Sequence, residues 1–191
     1  MKRPNLQRRK SSKSPSWTAL IVTPVIILLA HVVTPQELSK HSARHGWAHG
    51  KPGWLNLLGL LPVGAGFAGL VWSLRLHFVG ARGSFEMGAI QNYLVVRGPY
   101  RFTRNPMYLS GMLIWLGWII LYGSVAVLAG AMIFWGSVAR LVVPWEERKL
   151  EARFGEAYRR YKNRVPRWLG VAGAADVPGD PLHTETGLPK R

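Results

Sequence analysis

Two short polar segments hold the side chains best suited to chemistry. The first is Arg97-Gly-Pro-Tyr-Arg-Phe-Thr-Arg-Asn-Pro-Met-Tyr108. Gly98-Pro99 marks a turn. Asn105-Pro106 marks a helix start, with Asn as the cap and Pro at the first helical position. A helix N-terminus carries free N–H groups and the positive end of the helix dipole. With Arg101 and Arg104 just before it, it is a place for a carboxylate or another anionic group. The same residues equally suit an interfacial anchor, with Arg at lipid headgroups and Tyr108 in an aromatic belt. The second segment is Glu146-Glu147-x-x-Leu150-x-x-x-Phe154-Gly155-x-x-Tyr158. Its acids stand in a basic zone and can accept from hydroxyls or an ammonium group. Their plainer roles are a favourable helix N-terminus and i,i+4 pairing of Glu147 with basic neighbours.

What lies between decides whether the two segments can meet. Asn105 to Ala139 is a run of 35 residues without a charged side chain. About 20 residues cross a bilayer, so the run is too long for one span. Read as two helices turning at Gly123-Ser124, it is a hairpin, and a hairpin brings both polar segments to one membrane face.

The rest of the chain gives an all-α expectation: an integral-membrane bundle of about four spans with a C-terminal interfacial amphipathic helix. Residues 1–16 are basic and Pro-containing, and a disordered segment is expected. The membrane domain covers 17–168, with spans at about 17–34, 54–74, 107–122 and 124–143. Pro24 is a kink in the first span, and Pro144 closes the last. The basic start followed by Trp17–Val33 is similar to a signal peptide but has no clear small-x-small cleavage site, so an uncleaved helix is expected. From about 146 to 165, Leu150, Phe154, Ala157, Tyr158 and Tyr161 share one helical face, which fits a surface helix. Residues 169–191 read as a disordered tail.

Hydrophobic residues are 48% of the chain and charged residues 18%. The apolar residues cluster in blocks, as in a membrane protein. The net charge of +16 comes from tails beside spans: six of the 25 Lys and Arg precede Ser14 and ten lie from Arg148 onward. That is the pattern of cytosolic flanks on anionic lipid, and no recognition motif speaks for nucleic acid. Four spans with cytosolic termini also place the 80–106 loop in the cytosol, with its four arginines. There is no Cys, which excludes disulfides and thiolate metal sites.

Other motifs carry less. Gly64-Ala-Gly-Phe-Ala-Gly69 matches G-x-G-x-x-G but sits mid-span, without the strand a dinucleotide site needs. Small residues for close helix packing explain it better. His41, His45 and His49 would share a helical face, but Gly46 and Gly50 interrupt it, so a solvated loop is expected rather than a metal site. His31 reads as a polar packing residue.

Taken together, G-P-Y-R-x-x-R-N-P-M-Y, the apolar hairpin and E-E-x-x-L-x-x-x-F-G-x-x-Y-x-x-Y resemble the isoprenylcysteine carboxyl methyltransferase family. Related membrane enzymes, phospholipid amine methyltransferases among them, share the pattern, which covers about Asn92 to Trp168. The resemblance implies a small helical enzyme binding S-adenosyl-L-methionine at the cytosolic face. By motif position the cofactor contacts would be Asn92, Tyr93, Leu94, Val95, Tyr100, Asn105, Pro106, Met107, Tyr108 and Glu146. Eukaryotic members have His where this chain has Asn92 and Asn105, so no acid–base role is assigned there. They also carry an acceptor-associated Arg shortly before the Glu pair. Here that place is Val142, and Arg140 is the nearest candidate, with Arg104 a second.

Methyl transfer is mainly a positioning task, and a carboxylate acceptor needs no general base. An amine or thiol acceptor would need one, for which Glu86 and His77 are the nearby candidates. The implied activity is methylation of a lipophilic or membrane-embedded acceptor, with a carboxylate favoured. A phospholipid-amine or small-thiol acceptor is the alternative within the same fold. A non-catalytic scaffold with lipid-binding basic tails and a related nicotinamide reductase are the remaining readings. Retention of Glu-Glu-x-x-Leu speaks against the reductase.

Overall fold

The computed structural model describes residues 17–80 and 94–170. Those residues are mostly helical. α1 (Trp17–Leu28) continues through a π-helical turn (Leu29–Val33) into α2 (Thr34–Leu38). A 3-10 turn (Ser39–His41) and a minimal hairpin, β1 (Trp47–Ala48) with β2 (Lys51–Pro52), lead to α3 (Trp54–Leu57) and α4 (Leu60–Gly80). After a 3-10 turn (Gly98–Arg101) come α5 (Pro106–Tyr122) and α6 (Val125–Ser137). α6 runs through a second π-helical turn (Val138–Val142) into α7 (Val143–Phe154), and α8 (Glu156–Arg164) comes last.

Three expectations need correction. The first helix does not end near Thr34, and the helix of the last expected span does not end at Pro144. In both cases a π-turn precedes the proline, and the helix passes through it. Proline lacks the N–H that would reach the carbonyl four residues back. Ahead of Pro35 that carbonyl belongs to His31, and the Trp118 indole N–H takes it instead at 2.6 Å. Membrane helices tolerate prolines where a neighbour satisfies the freed group in this way. The third correction concerns 146–165, which is not one helix: Gly155 breaks it at φ 52°, ψ −124°. Most of the expected face survives the break, because Leu150 and Phe154 pack on a cluster of Leu94, Val96, Tyr158, Tyr161 and Val165, while Ala157 is exposed.

Two stretches, Trp54–Leu76 and Val125–Phe154, are long and apolar enough to cross a membrane, and α5 is a shorter apolar helix. Their outer faces stay apolar, with Leu61, Met132 and Ile133 each about 70% exposed. A soluble protein rarely shows so continuous an apolar surface.

α4 and α5 form the main helix pair, packed through small residues. A Cβ on Gly66 would lie 2.6 Å from Ile114 Cγ1, and one on Gly69 2.6 Å from Ser110 Oγ. Gly64 faces open space. The glycine motif therefore serves close packing, with two of its three glycines at the contact.

The 35–53 stretch is ordered against the α5–α6 turn rather than a plain loop. Gly123 sits at φ +55° and ends α5, while Ser124 caps α6 by accepting from the Val127 N–H. The His45 N–H donates to the Gly123 carbonyl, and Ser42 Oγ lies 2.8 Å from Ser124 Oγ. His41 ends the 3-10 turn and His49 lies in the β1–β2 turn, so His41, His45 and His49 share no helical face. His31 packs its ring on Trp135, as a packing residue should.

Buried Asn56 ties this end together, donating to His45 O at 3.0 Å and Ile120 O at 2.9 Å. Asn56→Leu strands both carbonyls, so a loss of about 1–3 kcal/mol is expected. A thermal melt in detergent checks it, and an unchanged midpoint would remove Asn56 from the stabilising set.

Candidate functional site

The other end of α5 gathers the polar motifs. Leu94 and Val96 are buried against α8, and the 3-10 turn buries Tyr100. The chain then enters α5 at Asn105-Pro106. Asn105 occupies the cap position, but its side chain makes no cap hydrogen bond. Its Nδ2 instead donates to the Arg167 carbonyl at 3.0 Å, and Thr103 Oγ1 donates to the same oxygen. The cap role expected of Asn105 is thus overruled by a long-range partner.

Tyr108 lies in the first turn of α5, half-buried. Its hydroxyl donates to Glu146 Oε1 at 2.9 Å, across 38 residues of sequence. This is the convergence that the hairpin requires. Among the described residues, the second oxygen of Glu146 accepts no hydrogen bond, so it can take a ligand hydroxyl or ammonium. The neighbouring acid has different partners. Glu147 pairs with Arg104, at 3.1 Å, and with Arg167, at 2.6 Å, rather than with basic neighbours on its own helix. Tyr161 fastens the 3-10 turn to α8 by donating to the Tyr100 carbonyl at 2.8 Å. Burial pushes the Tyr161 phenol well above its usual range, so it stays a donor at any physiological pH.

The expected residues thus fall into groups. Leu94, Val95, Tyr100, Asn105, Pro106, Met107, Tyr108 and Glu146 lie on the loop, the start of α5 and α7 that meet at this end. Asn92 and Tyr93 lie outside the described residues, as do Glu86 and the side chain of His77. Arg104 is engaged by Glu147. Arg140 lies on the second π-turn, before Glu146 on the same continuous helix. Sequence reasoning missed Thr103 and Arg167, and it placed Tyr161 on the buried face without its Tyr100 partner. Spacing gives no signal for these pairings, because Thr103 and Tyr161 bond to carbonyls 64 and 61 residues away and the Arg167 side chain reaches Glu147 across 20.

The phospholipid methyltransferase family model matches residues 56–157, just over half of the chain and the whole of the hairpin between the two motifs. The chain belongs to the phospholipid methyltransferase family. A Haemophilus influenzae protein without an assigned activity is 43% identical over 63 residues, 33% of this chain and all of that one. Protein-S-isoprenylcysteine O-methyltransferase B of Arabidopsis thaliana is 39% identical over 75 residues. That match spans 38% of this chain and 37% of the plant protein. The likeness to isoprenylcysteine methyltransferases read from the motifs therefore holds. No solved structure matches the chain.

Proposed function

We propose that this member of the family is an integral-membrane methyltransferase that uses S-adenosyl-L-methionine and methylates a lipophilic acceptor reached from the bilayer. The observation that carries the reading is the Tyr108–Glu146 contact. It sets a half-buried carboxylate, with one oxygen to spare, at the start of α5. The donor set fits the cofactor: a carboxylate for ribose hydroxyls or an ammonium, helix-start N–H groups for a carboxylate, and apolar Leu94 and Met107 for the remainder. Asn92, Tyr93, Leu94, Val95, Tyr100, Asn105, Pro106, Met107, Tyr108 and Glu146 are proposed as its contacts.

When bound, the cofactor supplies an activated sulfonium methyl. The protein's task is then to align the acceptor and exclude water. A carboxylate acceptor meets that requirement without a general base, which is why it is favoured over an amine or thiol. Arg140, on the same helix as Glu146, is the proposed contact for an acceptor anion. Arg104 is a weaker one, because Glu147 already engages it. The proposed topology has four spans with both termini and the site in the cytosol. Arg97, Arg101, Arg104, Arg148, Lys149 and Arg153 all belong to the loop and helix that meet at the site end, as the positive-inside rule asks. A scaffold without catalysis would explain the basic tails but not the family membership.

The test is calorimetric binding of S-adenosylmethionine and S-adenosylhomocysteine to purified protein, with Glu146→Ala alongside. Wild type should bind in the micromolar range, and the variant about tenfold or more weaker, for loss of charge-assisted hydrogen bonds. Folded wild type that binds neither compound, in lipid or in detergent, would sink the proposal.

A further inference from the structure

Glu147 stands where three parts of the chain meet. Its side chain is 7% exposed, and that of Arg104 is 9% exposed. Arg167 grips both carboxylate oxygens, Nε at 3.0 Å from Oε1 and Nη2 at 2.6 Å from Oε2, while Arg104 Nη1 lies 3.1 Å from Oε1. Arg104 comes from the loop before α5, Glu147 from α7 and Arg167 from the segment after α8. Backbone bonds close the same seam. The Arg104 N–H donates to the Pro166 carbonyl at 2.9 Å, and two side chains converge on the Arg167 carbonyl. The methyl-transfer reading gives Glu147 no task, since both of its oxygens are occupied by arginines.

Successive residues on a helix point about 100° apart. Whatever fixes the rotation of α7 at Glu147 therefore also fixes the direction of Glu146. A buried carboxylate between two guanidiniums is a strong fixture, since losing one partner leaves an uncompensated charge. We infer that Glu147 is a positioning residue: by gathering Arg104 and Arg167 it locks the 103–105 loop, the 165–167 strap and α7 into the register at which Glu146 meets Tyr108. The inference rests on the proposed cofactor site for its binding arm, and on geometry alone for the latch.

The test uses the full chain in lipid nanodiscs, as wild type and as Glu147→Gln, with two readouts. Hydrogen exchange should rise in 100–106 and 164–168 but not in the middle of α5. The dissociation constant for S-adenosylhomocysteine should rise about tenfold or more, as misplacing a binding group costs. Unchanged protection in both segments would overturn the latch. Opened segments with wild-type affinity would overturn the positioning role. Wild type that binds no S-adenosylhomocysteine would overturn the cofactor reading and the positioning role with it, while the exchange pattern still decides the latch. If Glu147→Gln does not fold, Arg167→Gln takes its place, because it leaves Arg104 against Glu147. Arg167→Lys keeps the charge without the two-pronged contact. It should recover part of what Arg167→Gln loses, and equal losses would count against a latch held by charge.

Discussion

Gly117→Val should leave no monodisperse folded protein, the largest effect expected of any single substitution here. A Cβ at Gly117 would lie 2.5 Å from the Gly59 carbonyl oxygen, 2.5 Å from Val63 Cγ2 and 2.7 Å from the Val63 backbone nitrogen. Two of these neighbours are backbone of the facing segment and cannot rotate away. Ordinary overpacking costs about 1–3 kcal/mol because side chains yield. Here the helices must part. In lipid, helix association rests on close packing rather than on hydrophobic burial, so parting them removes its main source. The loss spreads, since α5 carries Tyr108 at one end and the turn that holds 42–56 at the other. Size-exclusion profile and thermal stability in detergent are the measurements. Gly64→Val, on the open face of α4, is the control and should behave as wild type. A normal profile for Gly117→Val would mean that the Gly59–Gly117 approach is looser than described.

The range over which each interaction acts separates the features legible in the sequence from those it hid. The turn at Gly123-Ser124 is local chemistry: a left-handed glycine and a serine that caps α6. It interrupts an apolar run too long for one span, so the hairpin was readable, and so was the meeting of Tyr108 with Glu146. Asn105 shows the limit. Its type and its place before Pro106 fit a cap, but a carbonyl 62 residues away claims the side chain. Glu147 shows it again, because i,i+4 arithmetic sees only partners on the same helix, and its actual partners are 43 and 20 residues off. The prolines mislead for a related reason. Pro144 and Pro35 look like helix ends until a π-turn and, for Pro35, a tryptophan from another helix deal with the freed carbonyl. The ordered 35–53 stretch was hidden because its structure comes from hydrogen bonds with Gly123, Leu121 and Asn56 rather than from its own periodicity.

The second large effect is expected at Tyr108. Its hydroxyl is the single hydrogen-bond partner of the Glu146 carboxylate among the described residues, at 2.9 Å in a half-buried setting. Hydrogen bonds to charged groups are worth about 1.5–3 kcal/mol, and a stranded acceptor adds its own desolvation cost. Tyr108→Phe keeps the ring and its packing but leaves Glu146 unanchored. If Tyr108 acts by orienting Glu146 toward a ligand, Tyr108→Phe should weaken S-adenosylhomocysteine binding by roughly tenfold to a hundredfold, the range that this energy spans. Glu146→Gln should weaken it comparably. The double variant should then be no worse than the weaker-binding single one, since residues that act as a unit are not additive. Full additivity of the two losses would mean that Tyr108 and Glu146 contact the ligand independently. Wild-type affinity in Tyr108→Phe would mean that the contact belongs to the fold and not to the site. The cycle therefore separates a ligand-facing carboxylate held by a tyrosine from a helix–helix tie at a membrane interface, and only the first is compatible with the proposed cofactor site.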